Sequence, residues 1–181
     1  MISLGLVIVR LVVGLTVAGH GAQKLLGWFG GGGVTGTRNM VTRMQFRPVE
    51  LWTWALILGE FGGGLLLALG LLSPIGNFGV LGAMAIAIWV VHVPKGFWNT
   101  KGGIEFPLQI AAVALALSLT GPGAYSLDNW LRISLPEPAT WIVLAIGLII
   151  VVLAGLETRR QAMRKTAAPA TQPARSGPTD I

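Results

Sequence analysis

Arg10, His20, Lys24, Glu60, His92 and Glu105 stand inside or at the edges of long apolar runs. An ionisable side chain in hydrocarbon costs about 3 kcal/mol or more, so such groups face a bundle interior or an aqueous cavity and find partners. Together they include acids, bases and hydrogen-bond donors, enough for proton exchange or for holding a polar ligand. On a helix turning about 100° per residue, His20 and Lys24 lie about 40° apart and Arg10 within about 80° of His20.

Glu60 lies in the middle of its run, where an unpaired carboxylate would be protonated. Arg10 and His20 bracket it in depth, so an ion pair with Arg10 is expected. That pair would either fix helix register or form a proton-accepting, ligand-holding site. With the middle of each run as zero, His20 falls ~7 Å, Lys24 ~13 Å, His92 ~12 Å and Glu105 ~10 Å towards one end, and Arg10 ~7 Å towards the other. A shared polar pocket is the economical expectation.

His20, Glu60, His92 and Glu105 are thus the candidate proton-handling groups. Arg10, His20, Lys24, Trp28 and Trp98 are the candidate contacts of a bound cofactor. His20 and His92 also raise haem or metal ligation, but their ~5 Å difference in depth and the missing Glu-x-x-His pair disfavour both, and no metal is expected. Polar lining or proton exchange suits the two histidines better. Trp28, Phe29, Trp52, Trp54, Phe97 and Trp98 form either an interfacial aromatic belt or the walls of a quinone slot beside His and Lys donors.

These residues need elements to place them. The chain of 181 residues is 53% hydrophobic and 11% charged, with a mean hydropathy of +0.71. A soluble domain carries about a quarter charged residues, so this composition defines an integral membrane protein. The apolar runs 2–29, 51–72, 75–93, 105–120 and 139–156 each reach ~16–28 residues, the length of a bilayer span. The expected fold is an all-α polytopic transmembrane bundle, with four core helices and a fifth at 139–156. Residues 1–157 form the membrane domain, and the first run is expected to be retained as a helix. Residues 158–181, rich in Ala, Pro, Thr, Ser and Arg, are expected to be a disordered tail whose basic start lies on anionic headgroups or acts as a stop-transfer flank.

Ten lysines and arginines fall in the loops on one side of these spans and Arg132 alone on the other. This places the N-terminus outside and the C-terminus in the cytoplasm. Topology therefore explains the basic character better than a nucleic-acid partner does. The absence of cysteine excludes disulfides, thiolate nucleophiles, Cys-ligated metals and iron–sulfur clusters. Glycines spaced by four, such as Gly59 and Gly63, suit close helix packing. The run Gly30–Gly33 lacks the following Gly-Lys-Ser/Thr of a phosphate loop and suits a tight backbone course instead. Residues 39–46 read as a short interfacial amphipathic helix. Asp128, in Ser-Leu-Asp, is expected to cap its turn with Ser126 or to pair with Arg10.

Four blocks carry a resemblance: RLVVGLTVAGHGAQKLLGWFGGGG, GEFGGGLLLALGLLSPIG, VHVPKGFWNTKGGIEFPL and GPGAYSLD. In this order, and over roughly residues 1–131, they resemble the DoxX family of small bacterial membrane proteins. The resemblance implies a bundle of four membrane helices in the bacterial plasma membrane. It also implies a redox setting, through likeness to the small subunit of thiosulfate:quinone oxidoreductase. The run 139–156 goes beyond that pattern. Three functions remain open: a quinone-proximal subunit working with a redox enzyme partner, a scaffold anchoring soluble redox or detoxification enzymes, and a small-solute or proton transporter. Partners are the lipid bilayer and either a redox enzyme or further copies of the chain.

Overall fold

The computed structural model describes residues 1–167 and is helical, with no strand among them. Helix α1 (Ile2–Leu25) buries Arg10, Gly14, Val17, Ala18, Gly21 and Ala22, a single stripe at helical spacing. Gly27, at φ +74, turns the chain out of α1. The helix ends four residues short of the apolar run, because Trp28–Gly30 forms a separate 3₁₀ turn. Helix α2 (Gly33–Arg43) follows. It begins earlier than the amphipathic segment expected at 39–46 and includes the last of the four glycines.

Helix α3 (Val49–Leu69) and helix α4 (Ser73–Lys95) are joined by a tight turn. Each contains one π turn, Leu58–Gly62 in α3 and Ile88–His92 in α4. The hairpin loop 96–104 leads to helix α5 (Glu105–Thr120), the short span its sequence predicts. A five-residue helix α6 (Leu127–Leu131) precedes helix α7 (Ala139–Ala167). The expectation of disorder from Thr158 is corrected as far as Ala167, where α7 continues. The side chains explain it: Arg159 Nε donates to the Met44 carbonyl at 3.1 Å, and Gln161 Nε2 to Glu157 at 3.0 Å one turn back. The rest of the expected tail lies outside the described residues.

Val17, Leu67, Val80, Ala83, Met84, Ile110, Ala114 and Leu117 make one core, drawn from α1, α3, α4 and α5. Water-exclusion does not drive helices together within lipid, so close backbone packing must. On α1 and α3 the fit is mutual. A Cβ on Gly14 would stand 2.5 Å from the Ala68 nitrogen, and one on Gly64 2.5 Å from the Ala18 nitrogen. Gly59 and Gly63 let α3 approach the carbonyls of Gly79 and Gly76 on α4 in the same way. Helix α7 contributes nothing to the core. Only 6% of its apolar stretch is buried, against 44% for α3. It runs beside α4, touching it through Phe78 with Trp141 and through Gly82 with Leu148.

Candidate functional site

The antiparallel seam of α1 and α3 sets the level of every polar group on both helices. Gly14 meets Ala68, Ala18 meets Gly64 and Gly21 meets Phe61. Each step down α1 therefore matches an equal step back along α3, which puts Glu60 level with Ala22. Lys24 is then only ~3 Å lower, while Arg10 is ~18 Å higher. The expected Arg10–Glu60 pair is thus corrected: Lys24 Nζ donates to Glu60 Oε2 at 2.5 Å. The physical reason is stagger. The two helices are not centred on each other, and depths counted from the middle of each run misplace one against the other.

Glu60 sits on the π turn of α3 with its side chain 6% exposed, and Lys24 is 20% exposed. An extra residue in a helical turn re-aims the side chains beyond it, and such turns are frequent at functional positions. Helix α2 packs on this end. Thr37 Oγ1 donates to the Lys24 carbonyl at 3.1 Å and to the Gly33 carbonyl at 2.9 Å. Arg38 then bridges to Glu50 at the start of α3, with Nε 2.6 Å from Oε1 and a terminal nitrogen 3.0 Å from Oε2. That forked hydrogen bond, and the carboxylate charge behind it, hold the Arg38 guanidinium above its ordinary range.

Arg10 instead closes the opposite end of the bundle. Its two terminal nitrogens donate to the carbonyls of Pro122 at 2.7 Å and Tyr125 at 2.6 Å. Asp128 joins the same structure without bonding to Arg10. Its oxygens accept from the Leu72 and Ser73 backbone nitrogens at 2.7 and 2.9 Å and from the Ser73 hydroxyl at 2.7 Å. An acid remote in sequence therefore caps the start of α4, satisfying donors that a helix leaves unpaired. Ser126 caps α6 by accepting from the Asn129 nitrogen at 3.1 Å. Gly70 has φ +62, and a Cβ there would strike the Arg10 guanidinium and Ser126. Neither the remote cap nor the Arg10 latch was foreseen; a Ser-Pro start to α4 and an acid in a later loop were their faint signals.

The remaining candidates each have contacts of their own. His92 Nδ1 lies 2.6 Å from the Gly102 carbonyl, which only accepts, so Nδ1 carries the proton. Glu105 Oε2 accepts from the Asn99 nitrogen at 2.9 Å. Both bonds shape the 96–104 hairpin. His20 is exposed, with its ring edge-on to Phe106 at 6.1 Å. Trp28 and Trp98 are exposed too, each set edge-to-face against its own chain neighbour, Phe29 or Phe97. No three His, Asp or Glu side chains converge as metal ligands among the described residues.

Three recesses accompany these contacts, and none is lined by His20, Lys24, Glu60, His92 or Glu105. An apolar cavity of about 680 Å³ lies between α3, α4 and α7. A polar recess of about 420 Å³ adjoins Ser73, Asn77, Ser118 and Asp128. A cleft of about 410 Å³ beside Arg47 and Lys165 opens between the α2–α3 turn and the end of α7.

Four helices long and apolar enough to cross a bilayer, with a shorter fifth, define a polytopic helical membrane protein. Its α1–α3 and α3–α4 glycine seams lie within the segment that a known family describes. The DoxX family model matches residues 5–93, which supports membership of the DoxX family. No curated protein and no solved structure matches the chain.

Proposed function

We propose that the chain is an accessory membrane subunit that anchors a redox partner and does not itself turn over substrate. One observation carries this reading: the polar groups best suited to chemistry, His20 apart, have partners that hold helix ends and loops. Arg10 secures the loop at Pro122 and Tyr125, Glu60 binds Lys24, His92 binds Gly102 and Glu105 binds Asn99. The redox setting rests on the family resemblance. A plasma-membrane location with a cytoplasmic C-terminus rests on the basic residues. It is supported by the bond of Arg159 to Met44, which brings two basic segments to one face.

A second reading, a quinone-proximal proton site, draws support from Glu60 alone. A carboxylate on a π turn, paired to a lysine that keeps some exposure, is placed to exchange protons. Extraction of the chain purified in mild detergent separates the two. The scaffold reading expects no stoichiometric quinone, and retention of a bound partner by the double variant Lys24→Met, Glu60→Leu. Stoichiometric quinone, with turnover lost in a double variant that still folds, would overturn it.

A further inference from the structure

The apolar cavity between α3, α4 and α7 has walls that ordinary packing does not explain. Glycines on membrane helices usually allow close approach, as Gly59 and Gly63 do here. Gly62 and Gly147 do the opposite: nothing lies within 4 Å of where their Cβ would stand, and both line the cavity. Helix α7 is held near the ends of this space, by Trp141 on Phe78 and by Trp52 over Gly155. No ionisable side chain lines it. A hydrocarbon chain suits such a slot, and a ligand needing hydrogen bonds does not.

The cleft beyond its inner end has the complementary chemistry. Gln45, Arg47, Thr158, Gln161, Lys165 and Thr166 line it, with Arg159 alongside. Among the described residues, no carboxylate lies within 4.0 Å of the charged nitrogens of Arg47, Arg159 or Lys165. Glu157, the acid nearest in the chain, is engaged by Gln161 at 3.0 Å and Arg160 at 3.9 Å. Cations without a carboxylate partner among the described residues, beside amide and hydroxyl groups, are the chemistry of phosphate recognition.

The two recesses are stacked along one helix. From Val151, at the cavity, to Thr158, at the cleft, α7 rises ~10 Å. The interfacial layer on one side of a bilayer is ~5–8 Å thick. Trp52 stands between them, its ring seated on Gly155 and its Nε1 donating to the Arg47 carbonyl at 3.2 Å. An amphipathic ring belongs at that level.

We propose that cavity and cleft together bind one anionic phospholipid, with an acyl chain between α3, α4 and α7 and the phosphate between Arg47 and Lys165. The lipid fills the gap beside α7 and fastens the fifth helix to the four-helix core. Free phosphate would satisfy only the cleft.

Native mass spectrometry of the full chain in detergent, titrated with phosphatidylglycerol or phosphatidylcholine of the same acyl chains, tests this. Wild type should retain phosphatidylglycerol several-fold better. Arg47→Gln with Lys165→Gln should bring the two lipids to near parity. Gly147→Leu, which meets no atom at its Cβ, should reduce retention of both, and Gly62→Leu provides the same test from the opposite wall. Phosphatidylglycerol should also raise the melting temperature of wild type where inorganic phosphate does not. Equal retention of the two lipids by wild type would overturn the proposal. So would a preference that survives the charge variant, lipid binding undiminished in folded cavity variants, or equal protection by inorganic phosphate.

Discussion

Lys24 and Glu60 meet at 2.5 Å although 36 positions separate them, and they do so because α1 and α3 are staggered. The glycine seam sets that stagger and the ion pair reports it. A shift of α3 by one helical turn, ~5.4 Å, would part the two charges. The pair is therefore a sensitive probe of register.

Removing one partner should cost more than removing both. Glu60→Gln leaves the Lys24 ammonium with a neutral acceptor, and a loss of about 2–3 kcal/mol is expected. Lys24→Met with Glu60→Leu should recover at least half of that, because neither charge then needs a partner. Thermal unfolding in detergent, read by tryptophan fluorescence, gives both values. A double variant no more stable than Glu60→Gln would show that the pair does more than balance charge.

At the opposite end, Arg10→Met breaks two charged hydrogen bonds to the Pro122 and Tyr125 carbonyls. A loss of about 2–4 kcal/mol is expected. Arg10→Lys should restore only part of it, since a single ammonium replaces a planar fork with two separate terminal donors. Limited proteolysis between Gly121 and Leu131 should rise in step with the loss. Wild-type resistance in Arg10→Met would contradict the latch.

Two glycines on α1 provide a matched comparison. Gly14→Ala forces a Cβ against the Ala68 backbone, while Gly19→Ala meets nothing within 4 Å. The first should lose about 1–3 kcal/mol by overpacking and the second should change stability by less than ~1 kcal/mol. Melting temperatures of the two proteins, purified side by side, decide the matter. Equal melting points would mean that the α1–α3 seam is not close-packed.

Reporters should read the topology directly. One fused after Arg160 is expected in the cytoplasm and one inserted near Asp128 outside. A cytoplasmic signal from the Asp128 position would reverse the orientation and leave the bundle itself untouched.

Much of the architecture was legible because hydropathy and glycine spacing act locally. The runs at 105–120 and 139–156 became helices starting at the residues expected, and α5 ends where its run does. Helix pairing was harder to read. Nothing local to Glu60 distinguishes Lys24 from Arg10 as its partner; the choice is made by the level at which Gly21 meets Phe61. Asp128 illustrates the same limit, since its carboxylate serves Leu72 and Ser73 through a fold in the chain. The helical course of residues 158–167 was hidden because basic, alanine-rich composition suits both a free tail and a helix docked through Arg159.

Helix α7 also settles a question of parity. The four core helices alone return the chain to the face from which it set out, so Arg132 shares a face with Met1. A fifth traverse makes the count odd and carries residues 158–166 across to the face of α2. A domain attached to the end of α7 and one attached ahead of α1 would thus sit at opposite ends of the bundle. In a relative built from the four-helix core alone, they would be neighbours.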